Sequence, residues 1–332
     1  MSGSANPGPD LTVVVATGSG AWAVRMVVAA LAAQTVADRI ELVLRVDPGT
    51  EIGLLEPWLT RFAAWRVIDD EPVGIVDEAT GLAALTAETE FVSIVEDHAL
   101  PDADWAETML AVARTHDDVG FGSGIANANP GSLLSHANYM LAYSQWSDHA
   151  PGGPTDWIAH HNCTFRTEAL RNVDREIYPK LFNREGSIIR HLRDTGGTFR
   201  AVPEARIRHI NPASWSSTWA LRRNVGRFYG ANRAEAEGWG PLKRGMYVLL
   251  GAAIPRLRYL RERHDIFARV PHLSEPRRSP ALMLGLTMDA IGQMIGYLAG
   301  PGGSRALLER FEMDRAAHLG PEDRKMFYPD RP

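Results

Sequence analysis

The apolar positions of this chain fall into short, dense runs, each ending abruptly in polar or glycine-rich residues. Residues 11–16 read LTVVVA and stop at Thr17-Gly18-Ser19-Gly20. A run this short and continuous predicts a strand buried on both faces. Residues 23–34 are rich in Ala, Val and Leu nearly all round, which predicts a helix packed on a sheet. Residues 40–46, IELVLRV, predict a second strand, ended by Asp47-Pro48-Gly49. Strand, helix and strand in this spacing form a βαβ unit, which calls for parallel pairing and a right-handed crossover.

The same pattern continues less regularly. Residues 54–90 predict two short helices and a strand near 65–68. Residues 91–95 predict a third strand, ending in Glu96-Asp97-His98. A helix is expected over 102–115 with Asp102 as candidate cap. Further expectations are a strand over 119–125, a helix over 132–143, a strand over 157–165, and a short helix over 185–194 stopped by Gly196-Gly197. Residues 198–210 read as extended segments broken at Pro203, and 216–230 as a helix. Two later runs, 246–254 and 280–298, are apolar and rich in Gly and Met. The second contains Asp289 and Gln293. A charge near the centre of a bilayer span costs roughly 2.5–3.5 kcal/mol on insertion scales. A helix packed on the protein, or seated at a membrane surface, is therefore favoured over a span. The expected organisation is a tail over 1–10, an α/β domain over 11–232 and a helical region over 233–332.

Composition and charge add to this picture. With 332 residues, 45% of them hydrophobic, the chain can bury an α/β core and a smaller unit. One cysteine, Cys163, excludes an intrachain disulfide and a cysteine-cluster metal site. The first ten residues have neither a basic start nor an apolar stretch, so they predict a loose tail and no signal peptide. The net charge of −5 argues against nucleic acid as a partner. That charge is uneven: from Lys243 to Arg278 there are nine Lys or Arg against three acids, leaving −11 for the remainder. A basic segment interleaved with apolar residues suits an anionic surface, or simply a solvated helical face.

Candidate chemistry follows from the strand ends. In an open parallel sheet, ligands bind beyond the carboxyl ends of the strands. Polar clusters stand there at 17–20, 47–50 and 96–98. The Gly-rich dinucleotide fingerprint and the lysine-bearing phosphate loop are both missing, against dehydrogenase and nucleotide-hydrolase readings. Asp47 is placed to accept from a ribose or base, or to cap the turn before Pro48. Alternation puts Glu96 and His98 on one side and Asp97 on the other. A carboxylate with an imidazole can hold a divalent cation that bridges a diphosphate; a plain polar loop is the alternative. His209 ends another extended run and is a candidate to return to the same site. Glu185, at an expected helix start, either favours the helix dipole or serves as a general base. His160, His161 and Asn162 form a further polar group. Trp157, Trp215 and Trp219 are candidates for stacking on sugar faces, with core packing the expected role.

Taken together, VVVATGSG, the stretch AALAAQTVADRIELVLRVDPGT, VSIVEDHALPDADW, HHNCTFRTEAL, REGSIIRHLRDTGG and PEARIRHI resemble the family-2 inverting glycosyltransferases. The resemblance is distributed over residues 11–229. It implies an α/β, GT-A type nucleotide-binding fold with a mostly parallel central sheet and a helical C-terminal extension. It implies a nucleoside-diphosphate sugar donor, Mg²⁺ or Mn²⁺ as cofactor, and a glycan, lipid-linked or small-molecule acceptor. By this resemblance Thr17 and Gly18 lie in the nucleotide loop and Asp47 takes the uridine-contacting place. Glu96 and Asp97 face the donor diphosphate, and Asp97, His98 and His209 are the metal candidates. Asn162 contacts sugar or acceptor with Arg166 in support, and Glu185 is the catalytic base. The chain departs from the family pattern in four ways. Arg184-Glu185 stands where Glu-Asp is usual, so that the base carboxylate is carried on a longer side chain. Ala16 stands where Pro is usual, Pro48 replaces a second Asp, and EDH replaces Asp-any-Asp. The expected location is cytoplasmic, with room for peripheral contact at the inner face of the membrane and for a homo-oligomer. Two alternatives stay open: a sugar-nucleotide-binding scaffold without catalysis, and a sugar-phosphate nucleotidyltransferase. The latter wants a basic loop near the first strand, where only Arg25 is close.

Overall fold

The computed structural model describes residues 8–182, 187–270 and 274–331. Its strands are β1 (Leu11–Thr17), β2 (Ile40–Val46), β3 (Ala64–Ile68), β4 (Phe91–Ile94), β5 (Ala99–Pro101), β6 (Gly120–Asn127), β7 (Gly153–Thr155), β8 (Cys163–Arg166) and β9 (Phe199–His209). The helices are α1 (Ala21–Ala32), α2 (Glu56–Leu59), α3 (Val76–Ala84), α4 (Trp105–Thr115), α5 (Leu133–Tyr143), α6 (Thr167–Arg171), α7 (Tyr178–Phe182), α8 (Ser187–Asp194), α9 (Trp215–Ala236), α10 (Pro241–Leu250), α11 (Ile254–Ala268), α12 (Glu275–Ala299), α13 (Ser304–Met313) and α14 (Pro321–Phe327). The chain divides into two compact units. One holds residues 1–126, 146–209 and 327–332; the other holds 127–145 and 210–326. The boundary expected at residue 232 falls inside α9.

The first unit is α/β. Its sheet runs β3-β2-β1-β4-β8-β6-β9-β5, with β7 also on β9. β3, β2, β1 and β4 are mutually parallel, with Val14 opposite both Val43 and Ile94. The sheet turns antiparallel at β8, where Ile94 faces Cys163. The apolar runs of β1, β2 and β4 are buried throughout except at Glu41. Their burial explains why they lack alternation: with both faces covered, neither face is reserved for solvent. Each Val, Leu or Phe so buried contributes about 1.5–3 kcal/mol. Val14, Val43, Val92, Phe165, Tyr178 and Phe182 share one cluster. Gln34 locks the end of α1 to the start of α4, donating to the Asp102 carbonyl at 2.8 Å and accepting from the Ala106 amide at 2.9 Å.

Three local expectations are corrected. The strand expected over 157–165 begins only at Cys163, because Asn162 adopts φ 53° and turns the chain before it. Pro203 does not break β9; it falls between the residues paired to β7 (199–201) and those paired to β5 (207–209), so its missing N–H interrupts neither of these two ladders. Asp102 does not cap α4, which starts at Trp105; its carboxylate instead pairs with Arg206 at 2.5 Å and Arg208 at 2.9 Å.

The second unit is helical and is organised on α9 and α12. Glycines spaced by four on each helix face the other helix's backbone. A Cβ at Gly226 would lie 2.1 Å from the Asp289 carbonyl oxygen, and one at Gly292 would lie 2.1 Å from that of Arg223. Gly230 and Gly296 repeat the contact one turn on. The two helices therefore touch backbone to backbone, an approach that any side chain would block. α12 is long and apolar enough to cross a bilayer by length and composition, yet Leu282, Leu286, Asp289, Gln293 and Tyr297 are buried within the protein. Beside the seam, Asn138 donates to the Pro212 carbonyl and to the Thr218 hydroxyl, both at 2.9 Å. Its own side-chain oxygen accepts from Arg222 at 2.8 Å.

Candidate metal and nucleotide site at the sheet edge

The candidate site is built within the α/β unit. The parallel register brings the carboxyl ends of β1, β2 and β4 to one edge. Thr17 pairs with Val46, immediately before Asp47, while Val14 pairs with Ile94, and its carbonyl accepts from the amide of Val95, the residue before the EDH segment. Thr17 is buried and accepts from the Ser19 amide at 3.2 Å, shaping the loop through Gly18. Gly20 ends that loop at φ 91°, a conformation that suits glycine, directly before α1. Asp47 accepts from the Val73 amide at 2.6 Å, and its carbonyl accepts from the Thr50 hydroxyl at 2.7 Å. The Asp47 carboxylate thus ties the strand end to Val73 while its carbonyl closes the turn through Thr50.

The densest chemistry lies after β4. The chain turns at once, with the Ala99 amide donating to the Glu96 carbonyl at 3.1 Å, and enters β5. Ala99 pairs with His209, the last residue of β9. That pairing sets the His98 and His209 rings edge to face, with centroids 4.7 Å apart. Glu96 reaches between them. Its carboxylate is 3.7 Å from His98 Nε2 and 3.5 Å from His209 Nε2. His161 Nε2 stands 4.0 Å from the same carboxylate.

Two supports fix this arrangement. Asn162, fully buried in its left-handed conformation, accepts from the Glu96 amide at 3.1 Å and donates to the Glu96 carboxylate. Asparagine is among the few residues that take this backbone conformation readily. Asp97 lies 2.7 Å from His98 Nδ1, which directs Nε2 of that ring toward Glu96. Burial, with the charge of Glu96 added, pushes the Cys163 thiol well above its ordinary range, so this cysteine is a packing residue and not a nucleophile. The buried hydroxyls of Ser93 and Thr164 satisfy each other at 2.6 Å across the β4–β8 pair.

One ligand atom from each of Glu96, His98 and His209 lies within 4.8 Å of the others. Ligands about 2.0–2.2 Å from a shared cation stand roughly 3–4 Å apart. The separations of 3.5 and 3.7 Å between Glu96 and the two imidazoles match that spacing and exceed ordinary hydrogen-bond lengths. The donor set therefore fits a divalent cation. Asp97 sits behind His98 as an orienting carboxylate, the usual partner of a ligating imidazole.

Not every expected residue gathers here. Arg166 pairs with Phe91 at the opposite end of β4. Its guanidinium donates to the Asp118, Ala113 and His116 carbonyls and to Glu90, and packs over the Phe91 ring. That end of the strand is away from the EDH cluster, so Arg166 serves as a brace. Glu185 lies outside the described residues. Trp157 packs partly buried against the sheet cluster, whereas Trp215 and Trp219 of the other unit are exposed, contrary to the core role expected for them. One participant escaped notice in the sequence: Asp77, in the first turn of α3, lies 3.2 Å from His160, whose ring meets that of His161 with centroids 4.6 Å apart. An acidic residue at a helix start carries no signal that would single it out.

No protein-family model and no curated protein matches the chain. Among solved structures it is similar to residues 1–349 of S. aureus TarS, at 14% identity and TM-score 0.46, covering 87% of this chain and 91% of that one. The same part of TarS in complex with UDP matches at 15% identity and TM-score 0.45, with the same coverage. Its complex with UDP-GlcNAc matches at 14% identity and TM-score 0.45, covering 97% of this chain and 82% of that one.

Proposed function

We propose that this chain is a GT-A type glycosyltransferase that moves a sugar from a nucleoside-diphosphate donor to an acceptor hydroxyl with inversion. The observation that carries the reading is the meeting of Glu96, His98 and His209 at the sheet edge that also holds Thr17 and Asp47. Asp47 and the loop through Thr17 and Gly18 receive the nucleoside. Glu96, His98 and His209 hold the cation, with Asp97 and Asn162 fixing their orientation. A divalent cation held there would neutralise the charge that develops on the leaving diphosphate, an effect worth several kcal/mol. Two imidazoles in the donor set favour Mn²⁺ over Mg²⁺, which prefers oxygen shells. Glu185 accepts the proton of the acceptor hydroxyl, a role that rests on the resemblance of REGSIIRHLRD and requires hydrogen-bond reach of that hydroxyl.

Calorimetry with UDP, GDP and TDP, each with and without Mn²⁺, tests the reading directly. Metal-dependent binding of one nucleotide, lost in His98→Ala, is expected, together with slow hydrolysis of the matching sugar donor. Nucleotide binding indifferent to Mn²⁺ and to His98→Ala would remove the site from the reading and favour a scaffold. A Glu185→Gln chain that folds and keeps full transfer would remove the base.

A further inference from the structure

The helical unit displays a surface that the proposed chemistry does not use. α10 packs inward through Tyr247 and Val248, which join Ala234, Trp239 and Tyr297; the Tyr247 ring stacks on Trp239 with centroids 4.2 Å apart. Leu242, Met246, Leu249 and Leu250 follow one another at helical spacings of four, three and one, on the side turned to solvent. Leu242 is 90% exposed and Leu249 84%. The next helix repeats the pattern: on α11, Leu257 is 63% exposed and Leu260 48%. A soluble helix ordinarily turns such a stripe inward, and here two consecutive helices turn it outward.

The flanks of these stripes are basic. Lys243 and Arg256 are exposed, and the Arg261 side chain is 77% exposed. Nine Lys or Arg stand against three acids from Lys243 to Arg278. Two of those acids are already bracketed, Glu262 by Arg258 and Arg261, and Glu275 by Arg263. A second copy laid face to face on this surface would set one positive excess against another. An anionic bilayer offers the opposite charge to the arginines and an acyl boundary to the leucines at the same depth.

We propose that the α10–α11 face binds the surface of an anionic lipid bilayer, with the helices in the plane of the membrane and their leucines inserted at the headgroup boundary. Arg and Lys stems extend from the apolar row to the headgroups, as long basic side chains do at interfaces. This surface belongs to the helical unit alone and stands or falls apart from the sugar-transfer reading.

Flotation of the full chain with phosphatidylcholine vesicles, with and without phosphatidylglycerol, tests it. The chain is expected to float at low salt with the phosphatidylglycerol vesicles only, and to be released as salt rises. Leu249→Asp with Leu257→Asp, both on exposed positions, should weaken partitioning at least about tenfold, and so should Arg256→Glu with Arg261→Glu. Circular dichroism should be unchanged in both. Failure of the wild-type chain to float at low salt overturns the proposal, as does equal flotation of both variants. A wild-type dimer in gel filtration that the Leu249→Asp, Leu257→Asp chain no longer forms would assign the face to a second copy instead.

Discussion

The edge of the sheet and the seam between α9 and α12 bring distant residues together by opposite means. At the edge, backbone pairing is the scaffold and side chains do the meeting: β4, β5, β8 and β9 deliver Glu96, His98, Asn162 and His209 to one place. In the seam, side chains are absent and backbone meets backbone at Gly226, Gly230, Gly292 and Gly296. At the edge, side-chain chemistry is expected to matter most, and in the seam, side-chain volume. Substitutions should therefore separate the two regions by what they damage.

The largest effect is expected at the edge. His98→Ala removes a ligand, and loss of several kcal/mol corresponds to a fall of roughly hundredfold or more in metal-dependent nucleotide binding. The urea midpoint should fall as well, because His98 and Asp97 are buried and the substitution removes the imidazole 2.7 Å from the Asp97 carboxylate, so binding is compared on the folded chain. Asp97→Ala keeps the ligand but frees its ring, and about a 10- to 100-fold loss of Mn²⁺ affinity is expected by calorimetry. Equal affinities in wild type and Asp97→Ala would show that Asp97 does not orient the His98 ring.

In the seam, Gly292→Ala should lower stability by about 1–3 kcal/mol in urea unfolding, since its Cβ would meet the Arg223 carbonyl oxygen. Mn²⁺-dependent binding by the chain that remains folded should be unchanged. Gly245→Ala, inside α10 with nothing within 4 Å of the added carbon, sharpens the comparison. There the same substitution should stabilise by up to about 1 kcal/mol through helix propensity. Opposite signs for the two variants identify the seam; the same sign in both would mean that the helices part easily.

The smallest effect concerns Asp289. Burial raises its pKa, opposed in part by Arg222 and by Arg258, whose guanidinium is 3.7 Å away. The folded chain therefore holds this proton more tightly than the unfolded chain. Stability falls as pH rises through the window between the ordinary aspartate value and the raised one. Asp289→Asn should unfold at higher urea than wild type at neutral pH, and the two curves should converge below the ordinary aspartate pKa. A gap that stayed constant with pH would show that the Asp289 charge has no such cost.

The strands β1, β2 and β4 and the polar residues closing them are legible from the chain alone, because a run buried on both faces needs no partner to announce itself. For the same reason Thr17, Asp47, Glu96, His98 and His209 are recognisable as strand-end residues. Their division of labour is not. Whether Asp97 ligates or supports depends on the turn that follows Glu96, and whether Arg166 joins the site depends on the antiparallel register of β8, which sends it to the far end of β4. Neither is a local property. The exposure of Leu242 and Leu249 on α10 is likewise decided by the fold, since the close seam of α9 and α12 leaves them outside.

What the sequence by itself determined is where apolar runs begin and end, since transfer of continuous apolar stretches out of water depends on the residues alone. What only the tertiary structure decided is which ends meet and which apolar face stays outside. Those outcomes turn on register and on close backbone approach, where a shift of one residue or one methyl group changes every neighbour.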